Sequence, residues 1–140
     1  MNTDATIIRI GRALLDGFNA KDLSEWESLL AEEYTGSYPG LRRGADRQVA
    51  TAYNAVFVPA FPDLHFAVER TFADGDMIVY QWMSTGTHTG PLELPTGTVA
   101  ATGKHCTVPG VLVATVKDGK IVREETYWNQ LELLAQLGIM

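Results

Sequence analysis

The stretch that decides the fold of this 140-residue chain is residues 106–129, CTVPGVLVATVKDGKIVREETYWN. Apolar and polar residues alternate on both sides of Asp118-Gly119, and an Asp-Gly pair between such runs is a strong signal for a tight β-hairpin. Residues 64–88 repeat this form around Asp74-Gly75-Asp76. Pro109-Gly110 predicts a bulge or bend in its strand. Together the two stretches predict an antiparallel meander of four strands.

Helical spacing of apolar residues precedes this meander. It predicts a first helix that buries Ile7, Ile10, Leu14, Leu15 and Phe18. A second helix is predicted over residues 22–34, DLSEWESLLAEEY, with Asp22 and Glu25 as a capping box. A third covers about residues 46–58, before two prolines that end it, and a short one closes the chain at 131–137. Residues 90–104, rich in Gly, Pro and Thr, predict a loop.

Helices followed by a long run of strands predict an α+β domain with its helices on one face of the sheet. We expect a cone-shaped fold in which a strongly curved antiparallel sheet is wrapped by the N-terminal helices around a hydrophobic cavity. Such a cavity suits an uncharged organic ligand. The outer sheet face would stay partly apolar, which predicts a homodimer. Residues 1–140 contain no repeat or linker and are expected to form a single domain.

Bulk composition excludes several classes of partner. A net charge of −6 argues against nucleic acid and anionic membranes, because both need basic patches. No run approaches the length of a membrane span, and the N-terminal residues lack the basic region of a signal peptide. The single cysteine, Cys106, leaves no intrachain disulfide and no cysteine metal cluster, so a cytoplasmic location is expected.

Five segments, in order, resemble one known family: FNAKDLSEWESLLAEEY, FPDLHF, STGTHTG, KDGKIVRE and YWNQLELLAQLG. The chain is similar over nearly its whole length to SnoaL-like proteins, the polyketide-cyclase-type members of the nuclear-transport-factor-two-like superfamily. The segment LPTGTVAATGKHC differs, because it looks like the family's PTGK loop with residues inserted between Thr96 and Lys104.

The resemblance implies a fold, but not one reaction. Ketosteroid isomerases of this superfamily use a carboxylate base, a tyrosine in the first helix and a second acid. The matching positions here are Tyr38, Leu14 and the apolar Val111 or Leu112, which disfavours that reaction. SnoaL-like cyclases use an aspartate on the last strand as acid and base, and its position is Asn129. An amide cannot exchange a proton near neutral pH, so a proton carrier must lie elsewhere or be absent.

Three residues before or within the strands are candidate proton carriers. His88 in GTHTG has the side chain best matched to proton transfer at neutral pH; alternatively it fixes the loop by bonding a backbone carbonyl. Asp63 in AFPDLHF lies among large apolar residues, where burial would raise its pKa; alternatively it caps the turn after Pro62. His65 would share a strand face with Asp63 if no bulge intervenes, and the two would form a base and its orienting residue; alternatively they are an exposed pair.

Glu125 is the remaining candidate carboxylate. Glu124 and Glu125 point to opposite strand faces, and alternation places Glu125 on the face of Tyr127 and Asn129. If that face points inward, Glu125 reaches the cavity. The alternative is a rim position beside Arg123.

Aromatic residues with polar tips predict the ligand-binding wall. A purely apolar core rarely uses so many of them. For any one of them, plain core packing remains the alternative. The candidates are Trp26, Tyr34, Tyr38, Tyr53, Tyr80, Trp82, Tyr127 and Trp128, with Asn129 as hydrogen-bond donor.

Two functions follow. The first is a cofactor-independent enzyme that moves protons on a small or polycyclic carbonyl compound by cyclisation, isomerisation or dehydration, with no metal. In it His88 and Asp63 handle protons, while Asn129 and a tyrosine hold the carbonyl oxygen. The second is a non-catalytic binder of a hydrophobic small molecule. If Asp63, His65, His88 and Glu125 all lie outside the cavity, the catalytic hypothesis fails.

Overall fold

A five-stranded sheet carries the fold, in the order β1-β7-β6-β3-β2. The computed structural model describes residues 4–41 and 43–139. Within them the helices are α1 (Asp4–Asn19), α2 (Leu23–Ser28), α3 (Arg47–Ala55), α4 (Phe57–Ala60) and α5 (Gln130–Gln136). The strands are β1 (Leu30–Ser37), β2 (His65–Asp74), β3 (Met77–Thr87), β4 (Leu92–Leu94), β5 (Gly97–Val99), β6 (His105–Lys117) and β7 (Lys120–Trp128). The predicted α+β class is confirmed. The strong curvature of the sheet stays a prediction.

Both predicted hairpins form. Asp118 and Gly119 have φ angles of 52° and 75°, as a two-residue turn of the hairpin type requires. Gly75 turns the β2–β3 hairpin with φ 62°. The β3–β6 register runs without a shift through Pro109 and Gly110, so the predicted bulge is wrong. Glycine at position 110 instead leaves room for the ring of Trp82.

The second predicted helix ends earlier than expected, at Ser28, and Leu30–Ser37 is strand β1. This strand pairs with β7 in parallel, so the sheet is mostly rather than wholly antiparallel. Asp22 does cap the helix, because its side chain accepts a hydrogen bond from the Glu25 N–H at 3.1 Å. The loop predicted at residues 90–104 contains a second small sheet, the β4–β5 hairpin.

Two side-chain amides attach helices to the sheet. Asn19, at the end of α1, accepts from the Phe66 N–H at 2.7 Å and donates to the Phe66 carbonyl at 3.0 Å. Gln136 in α5 does the same with Thr107, both bonds being 2.8 Å. Each amide both donates to and accepts from one strand residue, as a neighbouring strand would. It thereby satisfies an N–H and a C=O group that have no partner in the sheet. The helices are thereby fixed over one face of the sheet, with the core between.

No helix in the described part of the chain is long and apolar enough to cross a membrane.

Candidate functional site

A cavity lies between the helices and the inner face of the sheet. Its wall is predominantly apolar and aromatic, with a few polar side chains, as in sites for small organic molecules. Helices α1, α3 and α4 supply Phe18, Tyr53, Asn54 and Phe57, and the segment after α4 supplies Phe61 and Leu64. The strands supply Phe66, Trp82, Ser84, Cys106, Val108, Thr126 and Trp128. Of the predicted aromatic residues, Tyr38, Tyr53, Trp82 and Trp128 line this cavity.

Trp82 can line the cavity because Gly110 lies beside it. The two residues are partners across the β3–β6 pair. A β-carbon at position 110 would lie 2.2 Å from the Trp82 ring, which is an impossible contact. The glycine therefore accommodates the indole flat against the sheet.

A deeper recess continues the cavity and ends at Glu124. It shares Tyr38, Asn54 and Thr126 with the cavity. Fully buried residues of α1 and α2, Leu14 and Trp26 among them, close its far side. Apart from Glu124 and Tyr38, no ionisable side chain lines the recess.

Glu124 is the buried carboxyl group of this site, with 3 % of its surface exposed. The hydroxyls of Tyr34 and Tyr38 lie 2.8 and 2.6 Å from its Oε1, and 2.8 Å from each other. Thr126 donates to Oε2 at 2.8 Å. Burial raises the pKa of Glu124, although the bonds from Tyr38, Thr126 and Tyr34 oppose the shift. A carboxyl group with a raised pKa is suited to acid–base chemistry near neutral pH.

The faces of β7 are the reverse of the prediction. Glu124 points inward, whereas Glu125 is half-exposed and forms an ion pair with Arg123 at 3.2 Å. Tyr127 is 48 % exposed and its hydroxyl donates to Glu125 at 2.8 Å. The prediction took Asn129 as a strand residue facing inward, but β7 ends at Trp128.

Asn129 is the N-cap of α5. Its side-chain oxygen accepts hydrogen bonds from the N–H groups of Leu131 and Glu132, at 3.0 and 3.3 Å. The side chain is exposed and does not line the cavity. An amide or a carboxylate serves this role equally, which gives a structural reason for asparagine at this position.

Asp63 and His65 are both exposed and neither lines the cavity. The Asp63 carboxylate accepts a hydrogen bond from the Thr87 N–H at 2.7 Å, and this bond lowers its pKa. The expected rise in its pKa through burial is therefore wrong. No hydrogen bond or ion pair joins Asp63 to His65 in the described part of the chain, so the predicted couple does not form.

His88 is fully buried just after β3, but its side chain does not line the cavity either. Its Nδ1 accepts from the Thr102 N–H at 3.2 Å and lies 2.9 Å from the Thr102 hydroxyl. The Phe61 ring packs on the imidazole with centroids 5.3 Å apart. Burial lowers the pKa of His88, partly offset by the Gly90 backbone. His88 thus fixes the loop, and its Nδ1 does so by accepting from a backbone N–H.

Of the other predicted aromatic residues, Tyr127 is exposed and the rest are buried. Trp26 lines the recess, and Tyr34 lies behind its wall with its hydroxyl on Glu124. Tyr80 belongs to the core, where its hydroxyl donates to the Ile8 carbonyl beneath α1. None of the four predicted proton carriers lines the cavity, so the catalytic hypothesis fails for the residues chosen from the sequence. The residue that sequence reasoning missed is Glu124. Strand alternation places Glu124 on the same face of β7 as Thr126 and Trp128, and this pattern was the sequence signal that could have identified it.

Known proteins provide the context for this geometry. A family model described as SnoaL-like polyketide cyclase matches residues 8–137. A comparison with curated proteins finds no match.

Several solved structures share the fold. One is a proposed SnoaL-like polyketide cyclase from Jannaschia sp. CCS1, 23% identical, with TM-score 0.86 over 100% of this chain and 96% of that one. AclR from Streptomyces galilaeus, a proposed hydroxylase, is 22% identical, with TM-score 0.85 over 99% and 88%. IdmH from Streptomyces antibioticus, a proposed polyketide cyclase, is 26% identical, with TM-score 0.79 over 94% and 98%.

Proposed function

The chain belongs to the SnoaL-like polyketide cyclase family, and from this premise we propose that it is a cofactor-independent enzyme that moves protons on a carbonyl compound. The observation that carries the proposal is Glu124, a buried carboxyl group that lines the recess beside the apolar cavity and contacts the Tyr34 and Tyr38 hydroxyls. In this assignment Glu124 takes the role that the sequence had given to His88 and Asp63.

The reaction that this site suits is proton transfer at or beside a carbonyl group. The apolar wall excludes water and holds the carbon skeleton, which strengthens hydrogen bonds at the reacting oxygen. Tyr38 lines both the cavity and the recess, and its hydroxyl contacts Glu124 at 2.6 Å. Glu124 gives a proton to the carbonyl oxygen, directly or through this hydroxyl, and the carboxylate so formed takes the α-proton, which yields the enol and restores the acid. Asn54, which also lines both spaces, is placed to position the carbonyl group.

Hydrogen–deuterium exchange at the α-carbon tests this proposal without knowledge of the substrate. The protein is incubated in heavy water with a panel of ketones and 1,3-diketones, and deuterium uptake is followed by mass spectrometry. We expect catalysed uptake that Glu124→Gln reduces by 10²-fold or more, the usual range for a general acid or base. Glu125→Gln is the matched control, because this neighbouring carboxyl group lies on the opposite face. Equal uptake in Glu124→Gln and the wild type would contradict the assignment.

The second candidate is a non-catalytic binder of a hydrophobic small molecule. The hydrogen bonds of Glu124 favour this function, because both of its carboxyl oxygens already have partners within the protein. Compounds that bind, as measured by quenching of Trp82 and Trp128 fluorescence, yet show no catalysed exchange would establish this function instead.

A homodimer remains part of the proposal. Phe72, Val79 and Val113 lie in one register row across β2, β3 and β6 on the outer face, and Phe72 is 59 % exposed. Such a row gives a second copy an apolar surface to bury. Light scattering is expected to give the mass of two chains, and Phe72→Ser to weaken the dimer. A monomeric wild type at all concentrations would refute it.

A cytoplasmic location is likewise proposed. Cys106, the single cysteine of the sequence, is buried and unpaired, as suits a reducing compartment.

A further inference from the structure

Three oxygen atoms form a closed triangle at the wall of the recess, which Glu124 and Tyr38 line: Oε1 of Glu124 and the hydroxyl oxygens of Tyr34 and Tyr38. Its sides measure 2.8, 2.6 and 2.8 Å. Two oxygens this close are in hydrogen-bonding contact, and each such contact requires one hydrogen between them. The triangle therefore needs three hydrogens.

The tyrosines supply only two of these hydrogens. Each phenol has a single O–H. Burial raises the pKa of Tyr34 and of Tyr38 above the usual tyrosine value, so both phenols keep this hydrogen at pH 7. If Glu124 were ionised, one side of the triangle would bring two lone pairs together with no hydrogen between them. A hydrogen on Oε1 completes the ring, with each oxygen donating once and accepting once.

The surroundings give an independent reason for an uncharged Glu124. The recess is lined from α1 and α2 by Leu14, Leu15 and Trp26, and from α3 by Asn54. The sheet adds Leu112, Trp82 and Thr126. None of these carries a charge, and the salt bridges of the described residues leave Glu124 out. A buried carboxylate with no cation costs several kcal/mol of folding free energy, and protonation removes that cost.

We propose that Glu124 is a neutral carboxylic acid in the resting protein, and that it and Tyr38 together form a donor site for the oxyanion of an enolate or phenolate. Both O–H groups can turn from the ring toward a ligand oxygen in the recess. Two O–H donors in a water-excluded site favour an oxygen that bears negative charge over a neutral carbonyl oxygen. This deepens the proposed function and rests on it, since it names the ligand class of the same site.

The protonation state is tested without any ligand. Protein labelled with ¹³C at the glutamate side-chain carboxyl is titrated by NMR, and Glu124→Gln identifies the Glu124 signal by its absence. We expect that signal at the chemical shift of a carboxylic acid at pH 7. A carboxylate signal from Glu124 at pH 7 would overturn the proposal. This arm is independent of catalysis, so the failure of α-carbon exchange and the failure of this inference are separate results.

The ligand class is tested with 4-nitrophenol, using 4-nitroanisole as the matched compound that cannot ionise. At a pH where the free phenol is ionised, calorimetry in two buffers of different ionisation enthalpy counts the protons taken up on binding. A neutral Glu124 predicts no uptake, whereas an ionised Glu124 must take up one proton per phenolate bound. Proton uptake, or absence of phenolate binding at millimolar concentration, overturns the oxyanion assignment.

Two variants complete the test. Tyr38→Phe is expected to weaken phenolate binding about tenfold or more, with little effect on 4-nitroanisole, because it removes one hydrogen bond to a charged oxygen. Glu124→Gln keeps an uncharged N–H donor, and we expect it to weaken binding at most about tenfold. Tighter phenolate binding in Glu124→Gln would mean that a negative charge had been removed, and would refute a neutral resting acid.

Discussion

Gly36 of β1 lies directly opposite Glu124 of β7 in the parallel strand pair. A β-carbon on Gly36 would lie 2.3 Å from the Tyr34 hydroxyl and 3.0 Å from the Tyr38 ring. The φ angle of Gly36 is not in the left-handed region, so the residue is glycine for space rather than for backbone freedom. Glycine at this one position allows two tyrosines and a glutamate from distant parts of the chain to meet.

Gly36→Ala is therefore expected to separate Tyr34 from Glu124. Overpacking of this kind costs about 1–3 kcal/mol of unfolding free energy. Tyr34→Phe removes the oxygen nearest the new methyl group, so the double variant should be more stable than the sum of the single effects predicts. Chemical denaturation of the wild type, the two single variants and the double variant gives the four stabilities of this double-mutant cycle. Strictly additive effects would show that Gly36 and Tyr34 do not share this space.

The ionisation of Glu124 predicts a distinct dependence of stability on pH. Its pKa is raised in the folded protein, so the folded state retains a proton that the unfolded state releases. The stabilising contribution of the neutral acid is complete below the usual carboxyl pKa. It is lost as pH rises toward the raised value, at up to about 1.4 kcal/mol per pH unit.

Comparison of the wild type with Glu124→Gln isolates this effect, because glutamine does not titrate and all other carboxyl groups are shared. Urea denaturation from pH 4 to pH 8 should show the wild type losing stability relative to the variant as pH rises. A difference that does not change with pH would mean that Glu124 ionises as readily in the folded protein as in the unfolded one.

Asn129 is expected to stabilise α5 rather than to bind a ligand. Asn129→Ala removes both cap bonds and should cost about 1 kcal/mol, whereas Asn129→Asp retains an acceptor and adds a favourable charge at the helix N-terminus. Thermal unfolding measures the stabilities, and fluorescence titration with a bound diketone measures affinity. A ligand-binding loss in Asn129→Ala without a loss of stability would restore the ligand role predicted from sequence.

The hairpins were predictable because their signals are local. Asp118-Gly119 and Asp74-Gly75-Asp76 determine their own turns, and alternation on each side determines the strands. Strand β1 was not predictable in the same way. Leu29, Leu30 and the acidic pair after them continue a helical pattern, and only the parallel partner β7 makes the segment extended. Propensity gives way to tertiary pairing there.

The candidate site escaped prediction for the same reason. Tyr34 and Tyr38 are 90 and 86 residues from Glu124 and meet it only through β1–β7 pairing. The sequence pattern placed Tyr34 at the end of the second predicted helix and Tyr38 just after it, and a helix gives no indication of a distant strand partner. The choice between Glu124 and Glu125 depended on Asn129, which lies beyond the strand and carries no information about its faces. Four of the predicted aromatic residues do line the cavity, because the prediction rested on residue type and did not depend on strand register. Their binding of a ligand stays a prediction.

His88 provides the last prediction, since it connects the chain after β3 to the loop before β6. Its N–H donates to the Lys104 carbonyl at 2.9 Å, its carbonyl accepts from Gly103 at 2.8 Å, and its Nδ1 binds Thr102. The pKa of His88 is lowered by burial, so below the usual histidine pKa of about 6.5 the unfolded state binds a proton that the folded state resists. Stability is therefore complete above that pH and is lost on acidification toward the lowered pKa.

The wild type should consequently lose stability between pH 6.5 and 5 more steeply than His88→Gln, although the variant is less stable at pH 8. His65 and His105 are present in both proteins, so the comparison isolates His88. Limited trypsin digestion gives a local readout, because release of the loop exposes the bond after Lys104. Cleavage there should increase at pH 5.5 in the wild type, and at every pH in the variant. If acid leaves both the stability difference and this cleavage unchanged, the loop is held without the imidazole.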